Sequence, residues 1–196
     1  GNAVADVLFG DVNPSGRLPI SMPRGVGQLP VYYGHKPSGG RSHWKGSYAD
    51  SPATPLFAFG HGLSYTHFAY GDLGIEPLQV KAGGEVSIRA EITNDGERSG
   101  EEVVQLYVRD VESSLPRPLK ELKRFQKVNL KPGESRQVQF ELGERDLAFY
   151  DPARSRWVAE PGWPPAEGVS GRARRFYLVA SGNGELSDRP GDGEVR

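Results

Sequence analysis

The sequence predicts a mainly β protein, in which a two-sheet β-sandwich follows a truncated α/β segment and a long loop. With 26 glycines and 16 prolines among 196 residues, the composition favours many turns over a helix bundle. Apolar and polar residues alternate between residues 85 and 142, which is the pattern of half-buried strands. We therefore expect two units, residues 1–68 and residues 69–196. A chain of this length is large enough to bury a sizeable core.

The first segment combines one helix with one edge strand. Apolar residues fall at helical spacing in Asn2–Phe9, and Gly10 follows where a helix commonly ends. After the turn residues 13–16, residues 18–22 predict a strand that flanking prolines confine to an edge. A helix this short is marginal alone, and these two elements cannot enclose a core. We expect them to complete a domain that lies upstream of Gly1.

Residues 55–68 (PLFAFGHGLSYTHF) predict a seam between the two units. Aromatic residues surround Gly60 and Gly62, which bracket His61. Glycine removes the Cβ that keeps chains apart, so this pattern indicates a backbone that passes close to another backbone. We expect His61 to be a hydrogen-bonded structural histidine.

The second unit contains a series of short strands. Turn sequences at Asn94-Asp95-Gly96 and Lys131-Pro132-Gly133 separate apolar alternation of period two. The predicted strands span residues 85–95, 102–109, 127–130, 136–142, 147–150, 157–159 and 176–180. Seven strands at this spacing indicate a two-sheet sandwich. Each large apolar side chain that it buries contributes roughly 1.5–3 kcal/mol, so this half is expected to fold unaided.

The loop before the seam carries the candidate substrate-binding residues. Residues 31–50 lack periodicity, are punctuated by glycine and are rich in aromatic and hydrogen-bonding side chains. Aromatic faces can cover the apolar side of a sugar ring while polar donors meet its hydroxyls. The candidates are Arg41, His43, Trp44, Lys45 and Tyr48. The alternative, an interdomain or subunit-packing loop, stays open at this point.

No carboxylate is assigned a catalytic role. Asp6, Asp11, Asp110 and Glu121 are candidates only by residue type. Glu102 and Glu121 lie on sandwich strands or their edges, where solvated carboxylates are routine.

Composition also bears on cofactors and partners. The four histidines lack metal-binding spacing and there is no cysteine, so we expect neither a metal nor another cofactor. A net charge of −1 disfavours nucleic acid as a partner. No apolar run approaches the roughly 20 residues that span a bilayer, which disfavours a membrane partner.

Three motifs carry a resemblance to a known family. They are ADVLFG at residues 5–10, NPSGRLP at residues 13–19 and FGHGLSY at residues 59–65. In this order they resemble the C-terminal part of family 3 glycoside hydrolases, where the end of an α/β sandwich domain precedes an immunoglobulin-like, fibronectin type III-like sandwich. The resemblance extends to about Gly162, and residues 163–175 depart from it.

The resemblance implies an exo-acting glycosidase, a β-glucosidase or β-xylosidase, whose partner is a β-linked oligosaccharide or glycoside. It also implies that the nucleophilic Asp and the acid/base Glu lie upstream of Gly1, so this chain alone is expected to be catalytically silent. In some relatives the matching loop reaches a neighbouring subunit, which implies a homodimer through residues 34–50. The alternative is a stand-alone fibronectin-like binding or scaffold module, which has no use for the ADVLFG and NPSGRLP motifs.

Overall fold

A computed structural model describes residues 1–36, 51–77, 83–110 and 113–160, together with the backbone of residues 174–179 and 193–195. Two short α-helices and one 3-10 helix accompany ten strands in these ranges. The helices are α1 (Asn2–Phe9), the 3-10 turn Val26–Gln28 and α2 (Glu144–Leu147). The strands are β1 (Phe68–Tyr70), β2 (Gly74–Glu76), β3 (Val86–Asn94), β4 (Gly100–Asp110), β5 (Glu121–Leu130), β6 (Ser135–Leu142), β7 (Phe149–Asp151), β8 (Arg156–Val158), β9 (Arg174–Val179) and β10 (Gly193–Val195).

Two four-stranded antiparallel sheets form the sandwich. In the first sheet, β6 pairs along one side of β3, while β1 and β2 pair with the two ends of its other side. The second sheet has the order β10-β9-β4-β5. The short strands β7 and β8 form a separate hairpin. The mainly β fold expected from the sequence is confirmed.

The core lies between the two sheets and is made by alternate residues of the long strands. In β3, every second residue from Val86 to Asn94 is buried, and Ile88 and Ile92 have no exposed surface. Leu106 on β4 and Leu130 on β5 meet them from the second sheet. This period of two is the one that the sequence shows, because successive strand residues point to opposite faces.

Both predicted turns cross from one sheet to the other rather than closing a hairpin. Asn94 ends β3 and is fully buried, and its side chain donates to the Leu130 carbonyl at 3.0 Å. At the second turn, the Glu134 amide donates to the Lys131 carbonyl at 2.9 Å. Gly133 has φ +74° there, in the left-handed region that favours glycine.

The first segment matches the predicted helix but not the predicted strand. Helix α1 has the expected bounds, and Gly10 ends it with φ +83°. Residues 18–22 do not form a regular strand, and only Met22 forms an isolated antiparallel bridge, with Phe57. The two prolines that suggested an edge strand remove the amides that a longer ladder needs, so the strand prediction is wrong.

Smaller differences occur after β6. The predicted strand at residues 147–150 is divided, because Leu147 ends α2 and β7 begins two residues later. The predicted strand at residues 127–130 is the end of the longer β5. Residues 163–173 of the departure from the family pattern lie outside the described residues.

Candidate functional site

The most elaborate polar site among the described residues joins residues 1–36 and 51–65 to the sandwich. We call it the interdomain contact. It is built from loops of the first segment and from both faces of β4. Most of its members come from the NPSGRLP and FGHGLSY motifs and from β4, Tyr33 and Tyr70 lie elsewhere, and together they form three groups and an aromatic cluster.

The first group is a buried ion pair. The guanidinium of Arg17 bonds the Glu102 carboxylate, and their side chains are only 7% and 0% exposed. The Tyr70 hydroxyl donates to the other carboxylate oxygen of Glu102 at 2.8 Å. Burial raises the pKa of Tyr70 well above its ordinary value, and the charge of Glu102 adds to the shift. The triad therefore holds one carboxylate, one guanidinium and a neutral phenol in a water-poor space.

The second group is the glycine pair of the seam. Gly60 donates its amide to the Leu18 carbonyl at 2.8 Å, and Leu18 donates to the carbonyl of His61 at 2.9 Å. A Cβ on Gly60, whose φ is +81°, would lie 2.6 Å from the side-chain oxygen of Gln105. A Cβ on Gly62 would lie 2.5 Å from the backbone oxygen of Gly16. The close backbone approach that the sequence predicts is confirmed at Gly62, whereas a Cβ on Gly60 would meet side-chain atoms of β4.

His61 between them is half-buried and packs its ring 5.1 Å from that of Phe57, centroid to centroid. Its amide donates to the Ala58 carbonyl at 3.0 Å. These contacts serve the local turn.

An aromatic cluster extends the contact along β4. Tyr33 stacks on Phe59 with ring centroids 4.1 Å apart, and its edge meets Tyr107 at 6.3 Å. The hydroxyl of Tyr107 donates to Gln105 at 2.8 Å, and Gln105 in turn donates to the Gly60 carbonyl at 3.1 Å. Burial raises the pKa of Tyr107, so the phenol stays neutral and acts as a donor.

The third group centres on Asn13, the first residue of the NPSG turn. Its carbonyl oxygen accepts from the Tyr65 amide at 2.8 Å and the Ser64 hydroxyl at 3.1 Å. Its amide nitrogen donates to the Ser99 carbonyl at 3.3 Å, which lies just before β4. The Tyr65 hydroxyl donates to the Val7 carbonyl near the end of α1 at 2.7 Å. One side chain thus links the turn, the seam and the sandwich.

A second charged cluster lies on the sandwich, around Arg117. This guanidinium bonds Asp110 at 3.0 Å and Glu121 at 2.6 Å, and Lys123 bonds the other oxygen of Glu121 at 2.6 Å. Burial alone would raise the pKa of Glu121, but the hydrogen bond and charge of Lys123, with Arg117, lower it. A general acid needs a raised pKa, so this carboxylate is tuned in the opposite direction.

None of the predicted substrate-binding residues is among those that the structure describes. Arg41, His43, Trp44, Lys45 and Tyr48 all lie outside the described residues. Within the described ranges, no cluster of three or more His, Asp or Glu side chains could hold a metal ion. In those same ranges, no helix has the length and apolar character needed to cross a bilayer.

The description of Glu102 as a routine solvated carboxylate is wrong. Glu102 has the same parity on β4 as the core residues Val104, Leu106 and Val108, and it points inward with them. This parity is visible in the sequence and would have predicted a buried charge. A buried charge requires a partner, and an arginine in the NPSGRLP motif supplies it.

Comparison with known proteins finds a family model for each of the two parts of the chain, the first segment and the sandwich. Residues 1–65 match the model of the glycosyl hydrolase family 3 C-terminal domain, and residues 102–163 match that of a fibronectin type III-like domain. The chain is 45% identical over 168 residues to a periplasmic β-glucosidase of Salmonella typhimurium, covering 83% of this chain and 22% of that protein. It is 48% identical over 181 residues to a β-xylosidase of Formosa agariphila, covering 92% of this chain and 25% of that protein.

Solved structures agree with these sequence relatives. A β-glucosidase from Erythrobacter marinus superposes with a TM-score of 0.82 at 40% identity, over 98% of this chain and 23% of that one. A β-glucosidase from Listeria innocua in complex with glucose gives a TM-score of 0.82 at 34% identity, over 100% of this chain and 26% of that one. The chain thus spans about a quarter of the length of these relatives. It belongs to glycoside hydrolase family 3 and corresponds to the C-terminal part of such enzymes.

Proposed function

We propose that this chain is the C-terminal part of an exo-acting glycosidase that hydrolyses terminal β-D-glucosides or β-xylosides. The observation that carries the proposal is the continuous match, over 83–92% of the chain, to the C-terminal quarter of a β-glucosidase and a β-xylosidase. In this proposal the catalytic carboxylates belong to the remaining part of the enzyme. The described carboxylates of the chain have structural roles. Glu102 pairs with Arg17, for example, and Glu121 pairs with Lys123.

The function of this chain within the enzyme is to hold loops of the α/β domain in fixed positions. The interdomain contact joins those loops to β4 and the residue before it through a buried ion pair, the close packing of Gly60 against Gln105 and Tyr107, and the Asn13 hydrogen bond to Ser99. An ordered two-sheet core lies behind β4. Such a support reduces the freedom of the segments that it holds, which is what a precise substrate site requires.

Residues 37–50 are part of this proposal, because both ends of that stretch are anchored. On one side, the Leu119 amide donates to the His35 carbonyl at 3.2 Å, and Tyr33 stacks on Phe59. On the other side, the buried Gln28 donates to the Thr54 carbonyl at 2.9 Å. We propose that Trp44 and its polar neighbours between these anchors contact a β-linked glycoside. A homodimer through residues 34–50 is the second part of the same proposal.

The test is a chimera with the Salmonella typhimurium β-glucosidase. This chain replaces the corresponding C-terminal part of that enzyme, and hydrolysis of aryl β-glucosides and β-xylosides is measured. We expect the chimera to turn over one of these substrates and the chain alone to turn over neither. The truncated Salmonella protein without any replacement is the negative control.

Two outcomes would contradict the proposal. Turnover by the chain alone that is lost on Glu121→Gln would show that the chain carries its own catalytic acid. A chimera that is folded and monodisperse but inactive on both substrates would show that this chain does not support catalysis.

A further inference from the structure

A groove on the sandwich borders the interdomain contact at Tyr33 but has no role in the proposed catalysis. Its volume is ≈650 Å³, within the range of about 300–1,000 Å³ that ligand pockets usually have. It lies between residues 115–123 and the β7–β8 hairpin. The residues that line it and matter here are Lys36, Arg117, Glu121, Lys123, Tyr150 and Trp157.

Two aromatic side chains form an exposed corner at the edge of this groove. Tyr150 on β7 and Trp157 on β8 are direct cross-strand partners, so their side chains lie on one face of the hairpin. Their ring centroids are 5.9 Å apart and the planes are inclined by 69°. Both remain about half exposed, at 50% and 51%. The Arg145 guanidinium lies 3.4 Å from the centroid of the Trp157 ring and holds it in place.

Two of the three cationic side chains that line the groove are held in ion pairs. Arg117 is bonded to Asp110 and Glu121, and Lys123 is bonded to Glu121. Arg117 also lies over the ring of Phe149, 5.4 Å from its centroid. The groove therefore offers a ligand aromatic surface together with the ammonium of Lys36 and the carboxylate of Glu121 as hydrogen-bonding groups. A neutral, hydroxyl-rich ligand can bond to both groups, whereas an anionic ligand would lie against the Glu121 carboxylate and be repelled by it.

We propose that this groove is a second, non-catalytic saccharide site that binds a neutral β-linked oligosaccharide. One sugar ring lies against the corner formed by Tyr150 and Trp157, and neighbouring hydroxyls meet Lys36 and Glu121. An aromatic-lined groove can also accept a proline-rich peptide. The choice of a saccharide rests on the proposed function, since a polymer held here would keep its chain ends near the enzyme.

The experiment is a calorimetric titration of this chain with cellohexaose and with xylohexaose. Turnover is not needed, so a failure here leaves the chimera experiment unaffected. We expect one of the two to bind, and we expect Tyr150→Ala and Trp157→Ala each to weaken binding at least tenfold, about 1.4 kcal/mol. Trp157→Phe keeps a ring on the corner and should retain part of the affinity.

The matched control is Phe125→Ala, which removes a 69% exposed aromatic ring from β5 and leaves the groove lining intact. Its affinity should equal that of the unchanged chain, and thermal unfolding verifies that each variant is folded. Binding that survives the change at both Tyr150 and Trp157 would overturn the proposal. The proposal would also be overturned if neither hexasaccharide bound, or if a proline-rich decapeptide bound more tightly than both of them.

Discussion

Removing the positive charge from the buried ion pair provides the sharpest test of the interdomain contact. Arg17→Met retains most of the side-chain volume but leaves the Glu102 carboxylate, with no exposed surface, bonded only by Tyr70 among the described partners. An uncompensated buried charge is strongly unfavourable. The variant must keep that charge in the dry contact, take up a proton on Glu102, or separate the first segment from the sandwich to hydrate the carboxylate, and each of these costs free energy.

The expected loss in free energy of unfolding is about 3–5 kcal/mol, which is typical when one partner of a buried pair is removed. Separation of residues 1–36 and 51–65 sets an upper limit to that loss, because it hydrates Glu102. Changing Arg17 and Glu102 together to Met removes both charges and leaves the Tyr70 hydroxyl unsatisfied, at a cost of about 1–3 kcal/mol. The double change should therefore be less harmful than Arg17→Met alone.

Urea unfolding followed by tryptophan fluorescence measures these differences. For a slope of about 2 kcal/mol per molar urea, a loss of 3–5 kcal/mol lowers the midpoint by about 1.5–2.5 M. The matched control is Arg154→Met, which breaks the ion pair with Asp151, where Arg154 is 57% exposed. A partly exposed pair contributes about 0–1 kcal/mol, so that midpoint should change little.

The reasoning is refuted if Arg17→Met lowers the free energy of unfolding by less than about 1 kcal/mol. It is also refuted if the effects of the changes at Arg17 and Glu102 simply add, because independent effects would mean that the two charges do not stabilise each other.

Three further predictions follow from the site. Gly60→Ala should destabilise the chain by about 1–2 kcal/mol or more in thermal unfolding, because φ is +81° and Gln105 lies close, whereas Gly25→Ala, in open space, should not. Burial opposes ionisation of Asp146 and Glu121, yet their hydrogen bonds and cationic partners lower both pKa values in the folded chain. The ionised carboxylates therefore stabilise the fold, and that stabilisation should be complete above about pH 5. In an acid titration of unfolding it should be lost as the pH falls through the folded pKa values. Unchanged stability between pH 6 and pH 3 would contradict this. In an active chimera, Trp44→Ala should lower kcat/KM about 5–150-fold (about 1–3 kcal/mol) if a stacking contact is lost, while an effect on Tm alone would mean that Trp44 packs against protein.

Much of the sandwich could be predicted from the sequence because its strands alternate strictly. β3 and β6 lie within one residue of the predicted bounds, since each buries every second side chain against one core. The irregular path of residues 18–22 was not predictable in this way. Its geometry is set by single contacts with the seam, such as Met22 with Phe57, and a local pattern does not specify them. The direction of the turn after Asn94 likewise depends on which sheet the next strand joins.

The interdomain contact was only half predictable, and Glu102 shows why. The glycines of the seam predicted that two backbones would meet, and they do meet at Gly16 and Gly62. The partner of Glu102 lies 85 residues away in sequence, and no periodicity connects two residues so far apart. What the sequence did contain was the parity of Glu102 on β4, which placed a charge on the core side of a strand.

That inward charge is more informative about function than the apolar core around it. A sandwich that needed only stability would not require a buried ion pair here, since replacing such a pair together with its hydrogen-bonding partners by well-packed apolar residues is often neutral or stabilising. The Glu102 carboxylate instead needs a positively charged partner. Arg17 is that partner, and it lies on a loop of the α/β part. An apolar contact would tolerate sliding of that loop, whereas an ion pair that also holds Tyr70 fixes both its position and its orientation. The contact therefore fits the role proposed for this chain, which is to fix the geometry of loops of the α/β part.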